Sequence, residues 1–122
     1  MAVSVVSTRR SVLGEGPHWD ESSKTLLHVD LYSGDICWLD PQTLDTQTIH
    51  LDHEFVTLAV PYASNPRHLV VTTGTEVRKL QCDTGETESL VEVDKEVKKR
   101  TRFNDGKCDS TGRLWAGEEF TL

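Results

Sequence analysis

The 122-residue sequence predicts an all-β protein, and three observations carry that prediction. Apolar residues come in short runs rich in β-branched and aromatic side chains, at 25–29, 36–39, 46–51, 55–60, 68–73, 77–80, 89–93 and 113–116. Turn chemistry separates the runs, as in Ser33-Gly34-Asp35, Asp40-Pro41, Asn65-Pro66, Thr73-Gly74, Asp83-Thr84-Gly85 and Ser110-Thr111-Gly112. The runs also repeat. "KTLLHVDLYSGDICWLDPQTLDTQTIHL" and "RHLVVTTGTEVRKLQCDTGETESLVEV" follow one template of apolar strand, tight polar turn, second strand ending in an acidic residue, second turn holding threonine, and third strand.

Taken in order, each template is preceded by a further short strand, at 17–19 and at 56–60, which makes four strands per unit. Leu26, Leu69 and Leu114 occupy equivalent places, and Trp38 matches Leu80. A period of about 40 to 45 residues with four short strands is the mark of propeller blades. A small β-sandwich whose strands merely look alike is the competing architecture. On the propeller reading the blades run over about 14–51 and 55–93, and a third opens over 102–117. Propellers close with about four to eight blades. The expectation is therefore the N-terminal fragment of a single propeller domain. The one segment with a helical alternative is 91–100, whose valines could form one helix face and suit a strand equally.

Composition excludes several classes of function. The net charge is −7, and no basic cluster interleaves with aromatics, so nucleic acid is not expected as a partner. The one basic run, Lys98-Lys99-Arg100, reads as a solvated strand end or turn. No apolar stretch approaches the roughly 18 residues that span a bilayer, and the N-terminus lacks the pattern of a signal peptide. Cys37, Cys82 and Cys108 are odd in number and form no C-x-x-C pair, which favours a reducing compartment over a disulfide framework. A soluble cytoplasmic protein is expected, with its oligomeric state open.

Two stretches carry a resemblance: "LGEGPHWDESSKTLLHVDLYSGDICWLDPQT" and, above all, "RFNDGKCDSTGRLWAG". Together they resemble the regucalcin, senescence-marker-protein and gluconolactonase family of six-bladed propellers. The resemblance covers nearly all of this chain and only the opening part of a typical family member. It implies hydrolysis of sugar lactones such as gluconolactone, with a divalent metal (Ca, Zn, Mn or Mg) at the mouth of the central channel. It also implies that Glu15 is a metal ligand and that Arg102 and Asn104 contact substrate. Oxygen ligands suit a hard cation, a bound metal polarises a carbonyl, and Arg102 can donate to a polyol or an oxyanion. The family's further ligands, an asparagine and a catalytic aspartate, fall in later blades, so no catalytic residue is expected within this chain. After Ala116-Gly117 the family commonly continues Thr-Met, where this chain reads Glu118-Glu119-Phe120-Thr121-Leu122.

Blander readings stand beside these. A glutamate between two glycines is an ordinary solvated turn residue, and Asn-Asp-Gly is first a turn. Gly14-Glu15-Gly16 lacks the third glycine of a dinucleotide fingerprint. "DSTGRLWAGEE" lacks EF-hand spacing. His50 and His53 read as surface residues, His18, His28 and His68 as packing or edge positions, and Trp19, Trp38 and Trp115 as blade core. Cys108 has no nearby histidine to activate it. Two functions follow: a metal-dependent sugar-lactone hydrolase in complete form, or a non-catalytic propeller fragment or interaction module.

Overall fold

The computed structural model describes residues 1–97 and 100–120. Among them are ten strands and no helix. The first antiparallel sheet contains β1 (Gly14–Asp20), β2 (Thr25–Asp30), β3 (Asp35–Leu39) and β4 (Thr46–His50), in that spatial order. The second repeats the arrangement with β5 (Val56–Pro61), β6 (His68–Thr73), β7 (Glu76–Gln81) and β8 (Thr87–Glu92). A third sheet pairs β9 (Thr101–Cys108) with β10 (Leu114–Phe120). This is a partial β-propeller. The first strand of each sheet lies at its inner edge, and β1, β5 and β9 pack side by side.

The strand alternation decides what is buried. Residues paired across an antiparallel ladder share a face. On β2, Leu27 and Val29 pair with Trp38 and Ile36, and that face meets Leu69, Val71 and Leu80 of the second sheet. The resulting core also takes in Leu51, Val56, Ala59 and Cys82. Burial pushes the Cys37 and Cys82 thiols above their ordinary range, so neither is primed as a nucleophile. The third sheet is seated by its first residues: Thr101, Arg102 and Phe103 are buried, and the Phe103 N–H donates to Gly74 O at 2.7 Å.

Several expectations need correcting. The segment around Glu15 is not a turn but the start of β1, and Asn104-Asp105-Gly106 is not a turn but lies within β9. Leu80 pairs with Leu69 as Leu39 pairs with Leu26, so the equivalent of Leu80 is Leu39 and not Trp38. Trp38 packs against the core as expected, but Trp19 and Trp115 are exposed. Trp19 shares a face with Leu26, and no sheet lies against that face or against the Trp115 side of β10 among the described residues. The ambiguous segment resolves as the end of β8 followed by a turn, in which the Val97 N–H donates to Asp94 O. Arg100 is exposed, whereas Lys98, Lys99, Thr121 and Leu122 lie outside the described residues. No helix among the described residues is long and apolar enough to cross a membrane.

Candidate functional site

Glu15 is the second residue of β1, where the pairing with β2 breaks register between Glu15 and His18. Gly16 makes that bulge possible. Its φ of 57° lies in the left-handed region, which a side chain would strain, and its backbone approaches the carbonyl of Thr57 on β5. The chain entering β1 is held from below by Asp30, which is buried at the end of β2. Its two carboxylate oxygens accept the N–H groups of Val12 (3.0 Å) and Leu13 (3.1 Å). Burial alone would push the Asp30 carboxyl up, but the donors of Leu13, Val12 and Ser33 prevail and hold it below the usual carboxylate range. The Glu15 side chain is exposed and has no hydrogen-bond or ion-pair partner among the described residues.

Arg102 is the second residue of β9, with its side chain only 7% exposed. Its guanidinium lies over the Phe55 ring, 5.4 Å from the centroid. Nη1 donates to Phe103 O at 3.0 Å and to Asn104 Oδ1 at 3.4 Å. Nη2 stands 2.5 Å from Oε1 of Glu119, the residue paired with Arg102 across the ladder. Phe55 also meets Tyr32 edge-on at 6.0 Å, so one line of contacts runs from the first sheet to the third. Asn104 is exposed beyond Arg102, with its oxygen turned to the guanidinium and its amide nitrogen left as a free-facing donor. Further along β9, Gly106 is required by close approach, because a Cβ there would fall 2.6 Å from Trp115 O.

The structure thus unites Arg102 with Asn104 and sets Glu15 on β1, with β5 between the two strands. A cavity of about 610 Å³ lies where Gly16–His18 of β1, Leu58–Val60 of β5 and Asp105–Cys108 of β9 face one another, and Glu15, Arg102 and Asn104 are not among the residues that line it. Metal binding finds less support. No three His, Cys, Asp or Glu side chains gather around one point among the described residues, so Glu15 offers a single carboxylate and these residues do not make a metal centre by themselves. Phe55, Glu119 and Asp30 were not foreseen as site residues. Their contacts cross from strand to strand or sheet to sheet, and only the Val-Asp ending of β2 hinted at one of them.

Comparison with known proteins decides the family. Residues 13–120 match the profile described as the SMP-30/Gluconolactonase/LRE-like region. The chain belongs to this family. Over 104 residues it is 36% identical to regucalcin of Bos taurus, covering 85% of this chain and 33% of the relative. It is 34% identical over 108 residues to YvrE of Bacillus subtilis (strain 168), whose name carries a provisional assignment as a sugar lactone lactonase, covering 88% of this chain and 36% of that protein. Among solved structures, a luciferin-regenerating enzyme superposes with a TM-score of 0.83 at 32% identity, over 90% of this chain and 37% of its own. The chain spans about a third of the length of the curated relatives it matches.

Proposed function

We propose that these sheets form the opening part of a propeller that hydrolyses sugar lactones with the help of a divalent cation. The observation that carries the reading is the Arg102–Asn104 unit on the inner strand β9, where a buried guanidinium donates to the oxygen of an exposed amide. Family membership and the lactonase name of the Bacillus subtilis relative supply the reaction class. A related fold described as that of a calcium-binding regucalcin from Agrobacterium tumefaciens, 19% identical with a TM-score of 0.84, supplies the metal class. Glu15 would contribute one carboxylate to the ligand set, with the remaining ligands coming from blades outside these residues. Asn104 and Arg102 would bind and orient the polyol.

A chimera tests this: residues 13–117 replace the corresponding opening third of bovine regucalcin. Gluconolactone hydrolysis that EDTA abolishes and that Asn104→Ala reduces by about tenfold or more, the worth of one catalytic hydrogen bond, is the expected result. Calorimetry on the same chimera should show Glu15→Gln weakening calcium binding. A folded chimera without hydrolysis would overturn the enzymatic reading.

A second reading has its own support. On this reading the 122 residues act as a non-catalytic fragment or interaction module, and its support is that Arg102 is already engaged by Glu119. The 122-residue polypeptide should therefore show no lactonase activity in the same assay.

A further inference from the structure

The pairing of Arg102 with Glu119 has consequences for what the site accepts. Arg102 is almost wholly removed from solvent, so its positive charge needs a partner, and an uncompensated guanidinium here would attract any available anion. The ladder fixes that partner. Glu119 lies directly opposite Arg102 in the β9–β10 register and places a carboxylate oxygen 2.5 Å from Nη2. The remaining Nη1 contacts go to the Phe103 carbonyl and to Asn104 Oδ1, and the Phe55 ring covers one face of the group. Besides Glu119, the exposed member of the unit is Asn104, whose amide is a neutral donor. Glu119 itself is 44% exposed, so an incoming carboxylate or phosphate would meet this fixed negative charge before it met the guanidinium.

We infer that Glu119 is a specificity-determining residue: by neutralising Arg102 it restricts the Arg102–Asn104 site to uncharged polyols and turns away sugar acids. The inference rests on the reading of Arg102 and Asn104 as ligand contacts. For a lactone hydrolase the distinction matters chemically, because the substrate is neutral and the product is a carboxylate. An Arg102 already neutralised by Glu119 adds no attraction of its own for the carboxylate product.

The test uses the 122-residue chain and its Glu119→Gln and Glu119→Asp variants, titrated with sorbitol and with sodium gluconate at constant ionic strength. The Arg102 Nε–H and Asn104 side-chain amide signals are followed by NMR. Sorbitol should shift the Asn104 amide alike in all three proteins. Gluconate should bind Glu119→Gln about tenfold more tightly than the parent or more, the worth of one charge-assisted hydrogen bond, while Glu119→Asp stays like the parent. Equal gluconate affinity in parent and Glu119→Gln, with sorbitol still moving Asn104, would overturn the role of Glu119 alone. If neither compound moves either signal in any variant, the reading of Arg102 and Asn104 as ligand contacts falls, and the role of Glu119 with it.

Discussion

The interface between the first two sheets and the outer face of the third are built from the same strand pattern and end in opposite states. Leu27 on β2 is fully buried against Leu69, Val71 and Leu80. Trp115, which holds the place of Leu27 when the repeats are aligned on Leu26 and Leu114, is 63% exposed on β10. Alternation along a strand tells which way a side chain points, and burial requires a second sheet on that side. The first two sheets supply each other with that partner. In the third sheet the opening residues Thr101–Phe103 are seated against the second sheet, whereas the rest of the hairpin is held by its own turn. Asp109 accepts the N–H groups of Thr111 (2.9 Å) and Arg113 (3.0 Å), and its other oxygen accepts Trp115 Nε1 at 3.0 Å.

The largest effect should come from the shared interface. Leu27→Ala removes side-chain volume at a site where both sheets pack, and large-to-small changes in such cores cost about 2–5 kcal/mol. Urea denaturation followed by tryptophan fluorescence should show the midpoint falling, with Trp38 reporting the loss because it lines the same core. A cost as small as that of a surface change would mean that the two sheets do not share a packed interface.

Asp30 links that interface to the candidate site, and its effect should be intermediate. Asp30→Asn leaves a weaker acceptor for the N–H groups of Val12 and Leu13 and puts an amide donor where none is wanted. The expected cost is about 1–3 kcal/mol. The pH dependence has a definite sign. The folded carboxyl titrates below its unfolded value, so its contribution is present above the unfolded pKa, about 3.9. It is lost as pH falls from there through the folded pKa. The parent should therefore lose stability relative to Asp30→Asn on acidification below about pH 4, with the gap between them narrowing. A gap independent of pH would assign the cost to packing instead of to the ionised carboxylate.

This contrast also explains what the sequence made legible. The strands of the first two sheets and the turns between them follow from local chemistry, the β-branched runs and the Gly, Pro, Asp and Asn at those turns. The face assignment slipped by one residue at Trp38-Leu39, where two adjacent apolar side chains fit either phase and only pairing with Leu26 settles it. Asn104-Asp105-Gly106 reads as a turn because an inner-edge strand is hydrogen-bonded on one side only and carries polar residues along its exposed part. Motif singles out Glu15, Arg102 and Asn104 as candidates, but nothing local announces that Glu119 pairs with Arg102 or that Phe55 covers it. Both contacts depend on register and on sheet packing, which are set by the whole chain.

The smallest effect should come from Trp115, and it separates side-chain type from partner. Trp115→Ala deletes a larger side chain than Leu27→Ala does, so size alone predicts the greater loss. Burial predicts the reverse. Most of the Trp115 ring faces solvent, and what it contributes is one hydrogen bond to Asp109 and a stacked Arg113 guanidinium 5.7 Å from its ring. The expected cost is about 0.5–1 kcal/mol in the same urea series. An exposed aromatic beside the open edge of β10 also favours association between molecules. Sedimentation velocity should accordingly show Trp115→Ala less self-associated than the parent at equal concentration. A loss of several kcal/mol would mean that the ring is buried in solution, and concentration dependence of that loss would identify a second molecule as what buries it.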